Sequence, residues 1–126
     1  MANEIKLTQT ITYENGKLKY TYSPGSANIP QATQGYADAT VALTTAEADH
    51  TWTVTTPGLV LLRSLEATST GNDVSWGIKT STGGINNQHL LKPLQTNICT
   101  IATSTCVLRY AAAAGTINLQ VLEFNA

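Results

Sequence analysis

The chain has 126 residues, 42% of them hydrophobic and only 12% charged; seven Lys+Arg against eight Asp+Glu leave a formal net charge of -1. Globular chains average about 25% charged residues, so this surface carries roughly half the usual number. There is no basic excess to neutralise phosphates, no high net charge to enforce disorder, and no run of the ~20 apolar residues a spanning helix needs. These counts argue against a nucleic-acid binder, a disordered chain and a helical membrane protein.

The start, Met1-Ala2-Asn3-Glu4-Ile5-Lys6, lacks the basic stretch and apolar run of a secretory signal, so cytoplasmic synthesis is expected. Alternation begins at once. Ile5, Leu7, Gln9, Ile11 and Tyr13 fall on one face of an extended strand, with Lys6, Thr8, Thr10 and Thr12 on the other. It resumes after Glu14-Asn15-Gly16-Lys17 as Leu18, Tyr20 and Tyr22. Asn-Gly between alternating runs predicts a hairpin over residues 1–22 closed by a type I′ turn, whose central residues need φ > 0. Residues 23–35 hold two prolines, two glycines and no charge, and are expected as an extended loop or arm packed against a neighbouring subunit.

Residues 36–126 are expected to form the main body. Strands are predicted over 39–43 and 50–55, joined by 44–49, where Thr45 before acidic residues suits one helical turn. Thr56-Pro57-Gly58 is read as a turn into 59–67, the most apolar strand and the expected centre of the core. Further strands are predicted over 73–79, 88–94, 97–102, 106–110 and 116–124, with Pro93 marking an edge or strand end and Ala111 to Gly115 a compact bend. The fold class is therefore all-β: a single-domain antiparallel β-sandwich or jelly roll of about nine short strands with an N-terminal hairpin.

Nothing in the sequence argues for catalysis, a metal or a cofactor. The eight carboxylates are scattered over turns and strand ends, Glu123 among them, and are read as solvated. His50 follows Asp49, and strand neighbours point to opposite faces. Cys99 and Cys106, with the distant His50 and His89, lack zinc-site spacing. A hairpin centred on Ala102-Thr103 would set the two cysteines opposite each other, where a disulfide is conceivable; free thiols acting as small hydrophobes are the preferred reading. Trp52 and Trp76 are read as core anchors. The hairpin tyrosines stay open between inward core anchors and an exposed platform for surface glycans.

Strand-rich proteins guard their edges with charge, proline or bulges. A β chain this poor in charge is guarded badly unless a partner covers it, which favours a subunit of an assembly. The expected assembly residues are Tyr13, Leu18, Tyr20, Tyr22, Pro24, Ile29, Pro30 and Tyr36.

Several stretches also carry a resemblance. They are the opening Met1-Ala2-Asn3-Glu4-Ile5, the segment Thr56-Pro57-Gly58-Leu59-Val60-Leu61-Leu62-Arg63-Ser64-Leu65-Glu66-Ala67-Thr68, the strand 74–78, the step Leu91-Lys92-Pro93-Leu94 and the close 111–123. In these the chain resembles a family of small tailed-bacteriophage virion structural proteins, decoration-like in type. It departs from that pattern at 23–35 and 80–87. The resemblance implies a non-enzymatic component located in the virion. It would be a homo-oligomer, a trimer being favoured, docked on the major capsid or another virion protein. A carbohydrate-binding module and a strand-exchanging filament subunit are the alternatives weighed beside it.

Overall fold

Alternation with period two sets the architecture throughout. In the computed structural model, which describes residues 4–32, 35–66, 73–79, 83–101 and 106–125, the chain forms twelve strands, with no helix among the described residues. It divides into two units, Met1–Thr33 and Gln34–Ala126.

The first unit contains β1 (Glu4–Thr8), β2 (Ile11–Asn15), β3 (Leu18–Tyr22) and β4 (Ser26–Pro30). β2 and β3 pair antiparallel with Asn15 opposite Leu18, which leaves Gly16-Lys17 as a two-residue loop. Gly16 has φ 59°, and among the described non-glycine residues only Leu94 has a positive φ. A positive φ at the first central position alone is the type II′ pattern, so the turn sits one residue later than the predicted type I′ turn.

The expected loop at 23–35 is corrected by β4, which pairs antiparallel with β1 and sets Ile5 opposite Ile29 and Leu7 opposite Ala27. Pro24 and Pro30 flank the alternation of Ala27 and Ile29 instead of breaking it, so the proline signal concealed a short strand. Thr33 and Gln34 of that segment lie outside the described residues. Between the two pairings, Ser23-Pro24-Gly25 stand opposite Gln9-Thr10, one residue more on the second strand than on the first. Gly25 takes φ 90°, and the Thr10 and Ser23 hydroxyl oxygens lie 3.4 Å apart. The interruption works as a bulge that resets the alternation of one strand.

The second unit contains β5 (Tyr36–Leu43), β6 (Ala48–Asp49), β7 (Pro57–Ser64), β8 (Val74–Lys79), β9 (Ile85–Leu91), β10 (Thr96–Thr100), β11 (Leu108–Ala112) and β12 (Ile117–Asn125). They form two four-stranded antiparallel sheets, ordered β10-β7-β12-β5 and β6-β11-β8-β9. Val60, Leu62, Leu119 and Val121 of the first sheet meet Val74, Trp76, Leu91, Leu108 and Tyr110 of the second in one buried cluster. The unit is an all-β sandwich. Trp76 anchors this core as expected, and Trp52 packs against it while its indole N–H donates to the Cys106 carbonyl at 3.0 Å.

Three local expectations are corrected. Residues 44–47 make no helical turn: the Ala46 N–H donates to the Thr44 hydroxyl at 3.3 Å, a local side-chain bond that competes with helix. No strand forms over 50–55: β6 lies just before it, within the expected connection, and residues 50–56 run irregularly. β10 pairs with β7, whereas β11 pairs with β6 and β8, so the segments flanking 101–106 belong to different sheets and form no hairpin. Its expected centre, Ala102-Thr103, lies outside the described residues. Cys99 and Cys106 are free thiols packed against the core. Burial pushes both upward, and for Cys99 the charge of Cys106 adds to it.

Candidate assembly surface

Directly opposed residues of an antiparallel pair share a face. In the outer ribbon the opposed pairs are Ile11 with Tyr22, Tyr13 with Tyr20, and Asn15 with Leu18; Thr12 with Thr21 and Glu14 with Lys19 alternate with them on the other side. One face is therefore apolar and aromatic, the other polar. The polar face carries its own ion pair, Lys19 Nζ to Glu14 Oε1 at 3.1 Å. On the apolar face Ile11 is 64% exposed, Leu18 61%, Tyr20 58%, Tyr22 50% and Tyr13 48%. The Asn15 side-chain amide donates to the Tyr13 hydroxyl at 3.2 Å, which ties the polar end of that ring to the ribbon.

Of the residues expected from sequence, Tyr13, Leu18, Tyr20 and Tyr22 come together on this face. Pro24 is exposed at the interruption. Ile29 is half-buried opposite Ile5, and Pro30, one position on, takes the other face opposite Glu4. Tyr36 belongs to the second unit, where it starts β5, is 71% exposed and lies tilted 6.3 Å from the Phe124 ring. Ile11 was missed as a site residue, although its place in the alternation with Tyr13 already marked it. A further apolar surface also escaped notice: Leu61, Ile98, Leu122 and Phe124 face outward from the β10-β7-β12-β5 sheet and are half-buried.

The buried polar groups of the sandwich have a different role. Glu123, read from sequence as solvated, is 2% exposed, because it continues the inward row Ile117, Leu119, Val121 along β12. Its Oε1 lies 2.5 Å from His50 Nε2, and its Oε2 accepts from the Thr53 N–H at 2.9 Å and the Val54 N–H at 3.2 Å. His50 Nδ1 is 3.3 Å from the Tyr110 hydroxyl, and Trp52 meets the His50 ring edge-on at 4.8 Å. Burial, and then the Glu123 charge, hold the Tyr110 hydroxyl above its usual range. Two residues further along β12, Asn125 Oδ1 accepts from the Thr56 N–H at 3.0 Å and the Thr56 hydroxyl at 3.2 Å.

These bonds explain why residues 50–56 need no ladder: side chains of β12 supply the acceptors that a neighbouring strand would. Both nitrogens of His50 and both oxygens of Glu123 are engaged inside the fold. The cluster fastens a segment rather than presenting a reactive group. Gly35 belongs to the same corner: it has φ 134°, and a Cβ there would stand 2.7 Å from Asn125 Nδ2. Only glycine fits both the conformation and the space.

Asp49 turns to the surface as the alternation with His50 requires. It accepts from Lys79 Nζ and Arg109 Nε, each at 2.7 Å, and Arg109 also reaches Glu47 at 3.1 Å. The bonds from Lys79 and Arg109 hold the Asp49 carboxyl below its usual range. The scarce charges of this sheet are thus spent on one another.

Comparison with known proteins returns no matching family model, curated protein or solved structure.

Proposed function

We propose that the chain is a non-enzymatic structural subunit of a bacteriophage virion, a capsid decoration or vertex-associated protein that works by burying uncharged surfaces against its neighbours. The observation that carries this reading is the amphipathic ribbon, which leaves five large apolar side chains in water on one face. Monomers rarely expose apolar patches beyond about 300–600 Å², and patches of that size commonly mark interaction sites.

The topology of the second unit supports the same reading. Counting its eight strands in chain order, one sheet holds the first, eighth, third and sixth, and the other the second, seventh, fourth and fifth. We read this order as a jelly roll, an architecture common in viral capsid proteins and in lectins. The sequence resemblance to decoration-like virion proteins points the same way. Repetition across a symmetric shell lets weak contacts add up to firm attachment.

Quantitative proteomics of purified particles tests the reading. The protein is expected at a stoichiometry that fits a symmetric shell or vertex, and its absence from particles sinks the proposal.

A further inference from the structure

The ribbon's apolar face is exposed in the single chain. We infer that it packs against the same face of a second copy of the chain, across a two-fold axis; the inference rests on the structural-subunit reading and names the partner at its principal surface. A lone two-stranded ribbon is marginal in water, and independent stability takes a third strand or a layer packed on its apolar face. The face is self-complementary in composition. Ile11, Leu18, Tyr13, Tyr20 and Tyr22 occupy it, while the ion pair of Glu14 and Lys19 lies on the opposite side, so two copies can meet without burying a charge.

The area suffices. Side chains of this size, about half exposed, present roughly 100 Å² each, or about 500 Å² for the face. Two faces together bury on the order of 1,000 Å², the threshold for a specific interface. An isologous contact of this kind closes on itself as a dimer and builds larger closed particles only in even numbers. It thereby replaces the trimer favoured from sequence.

Sedimentation equilibrium of the full chain tests the inference. The wild type is expected as a dimer or an even multiple. Tyr13→Glu with Tyr20→Glu is expected to weaken association roughly a hundredfold, whereas Thr21→Lys on the opposite face keeps the wild-type mass. Both tryptophans, Trp52 and Trp76, lie in the second unit, so their fluorescence verifies the sandwich independently of the ribbon. Should the glutamates unfold the ribbon, Tyr20→Cys with Cys99→Ser and Cys106→Ser supplies the second measurement: mild oxidation with glutathione disulfide is expected to give a covalent dimer. A monomeric or trimeric wild type overturns the inference. So does a glutamate variant of unchanged mass, loss of association in Thr21→Lys, or the absence of a cross-linked dimer. A chain found in virions that fails these tests refutes the ribbon pairing alone; absence from virions refutes the broader reading.

Discussion

The two units obey the same alternation and come to opposite ends. In the sandwich, the inward row of β12 meets a facing sheet, and Ile117, Leu119 and Val121 lose all contact with water. In the ribbon, the equivalent row of Ile11, Tyr13, Leu18, Tyr20 and Tyr22 stays about half exposed or more. Amphipathic strands specify a face; whether that face becomes a core or an interface depends on what is supplied opposite. Cores are inferred from period and apolarity, and so are assembly surfaces, which is why neither signal alone separates them.

Matched substitutions in the two units should break that symmetry. The largest loss is expected for Glu123→Ala, which strands the His50 ring nitrogen and the N–H groups of Thr53 and Val54. A buried or part-buried donor left unpaired costs about 1–3 kcal/mol, so chemical denaturation followed by tryptophan fluorescence should show a loss of about 4 kcal/mol. Glu14→Ala, on the exposed face of the ribbon, should move the same curve by less than about 0.5 kcal/mol.

Leu119→Ala comes next. Leu119 is fully buried, and removing its side chain leaves a cavity, so about 3 kcal/mol should be lost. Leu18→Ala truncates a side chain of the ribbon, outside the sandwich, and should leave the sandwich transition within about 0.5 kcal/mol of wild type.

A smaller effect is expected for Gly16→Ala. Nothing lies within 4 Å of an added Cβ, so the cost is conformational and arises from φ 59° alone. That is worth about 1 kcal/mol, and amide hydrogen exchange in β2 and β3 should accelerate roughly fivefold while β7 and β12 are unaffected.

The smallest effect belongs to Asp49→Asn. A carboxyl held below its usual range contributes stability that is present above its unfolded pKa and fades as pH falls through the lower folded value. The variant should therefore start from a slightly lower Tm near neutrality and show a shallower decline on acidification below about pH 4, the two curves converging in acid.

Much of this was legible in the sequence. The all-β class, the strands expected at 73–79 and 116–124 and the ribbon's tyrosine face follow from alternation. The misses share a cause: local signals do not encode pairing across the sandwich. Glu123 stands two residues after Val121, so the period alone placed it inward; the assumption that carboxylates seek water overrode it. His50 as its partner, 73 residues away, was beyond any local reading. The thiol hairpin failed because neighbouring strands were assumed to pair, whereas the chain crosses between sheets from β10 to β11. In the ribbon, Pro24 and Gly25 were read as breakers of structure when they are the residues that allow the strand to resume.

The extra residue at Ser23-Pro24-Gly25 makes the arm a device that counts parity. Odd-numbered Ile11 and Tyr13 share a face with even-numbered Tyr22 and Tyr20, whereas nearer the base odd faces odd, Ile5 with Ile29 and Leu7 with Ala27. Inserting one further residue there, with the spacing of the bulge kept, would set Asn28 and Ser26 where Ile29 and Ala27 now stand, turning the base of the arm inside out while sparing its tip. Insertions in either strand are therefore tolerated in twos and punished in ones, a rule that should be written into the insertions of any lineage that keeps this arm.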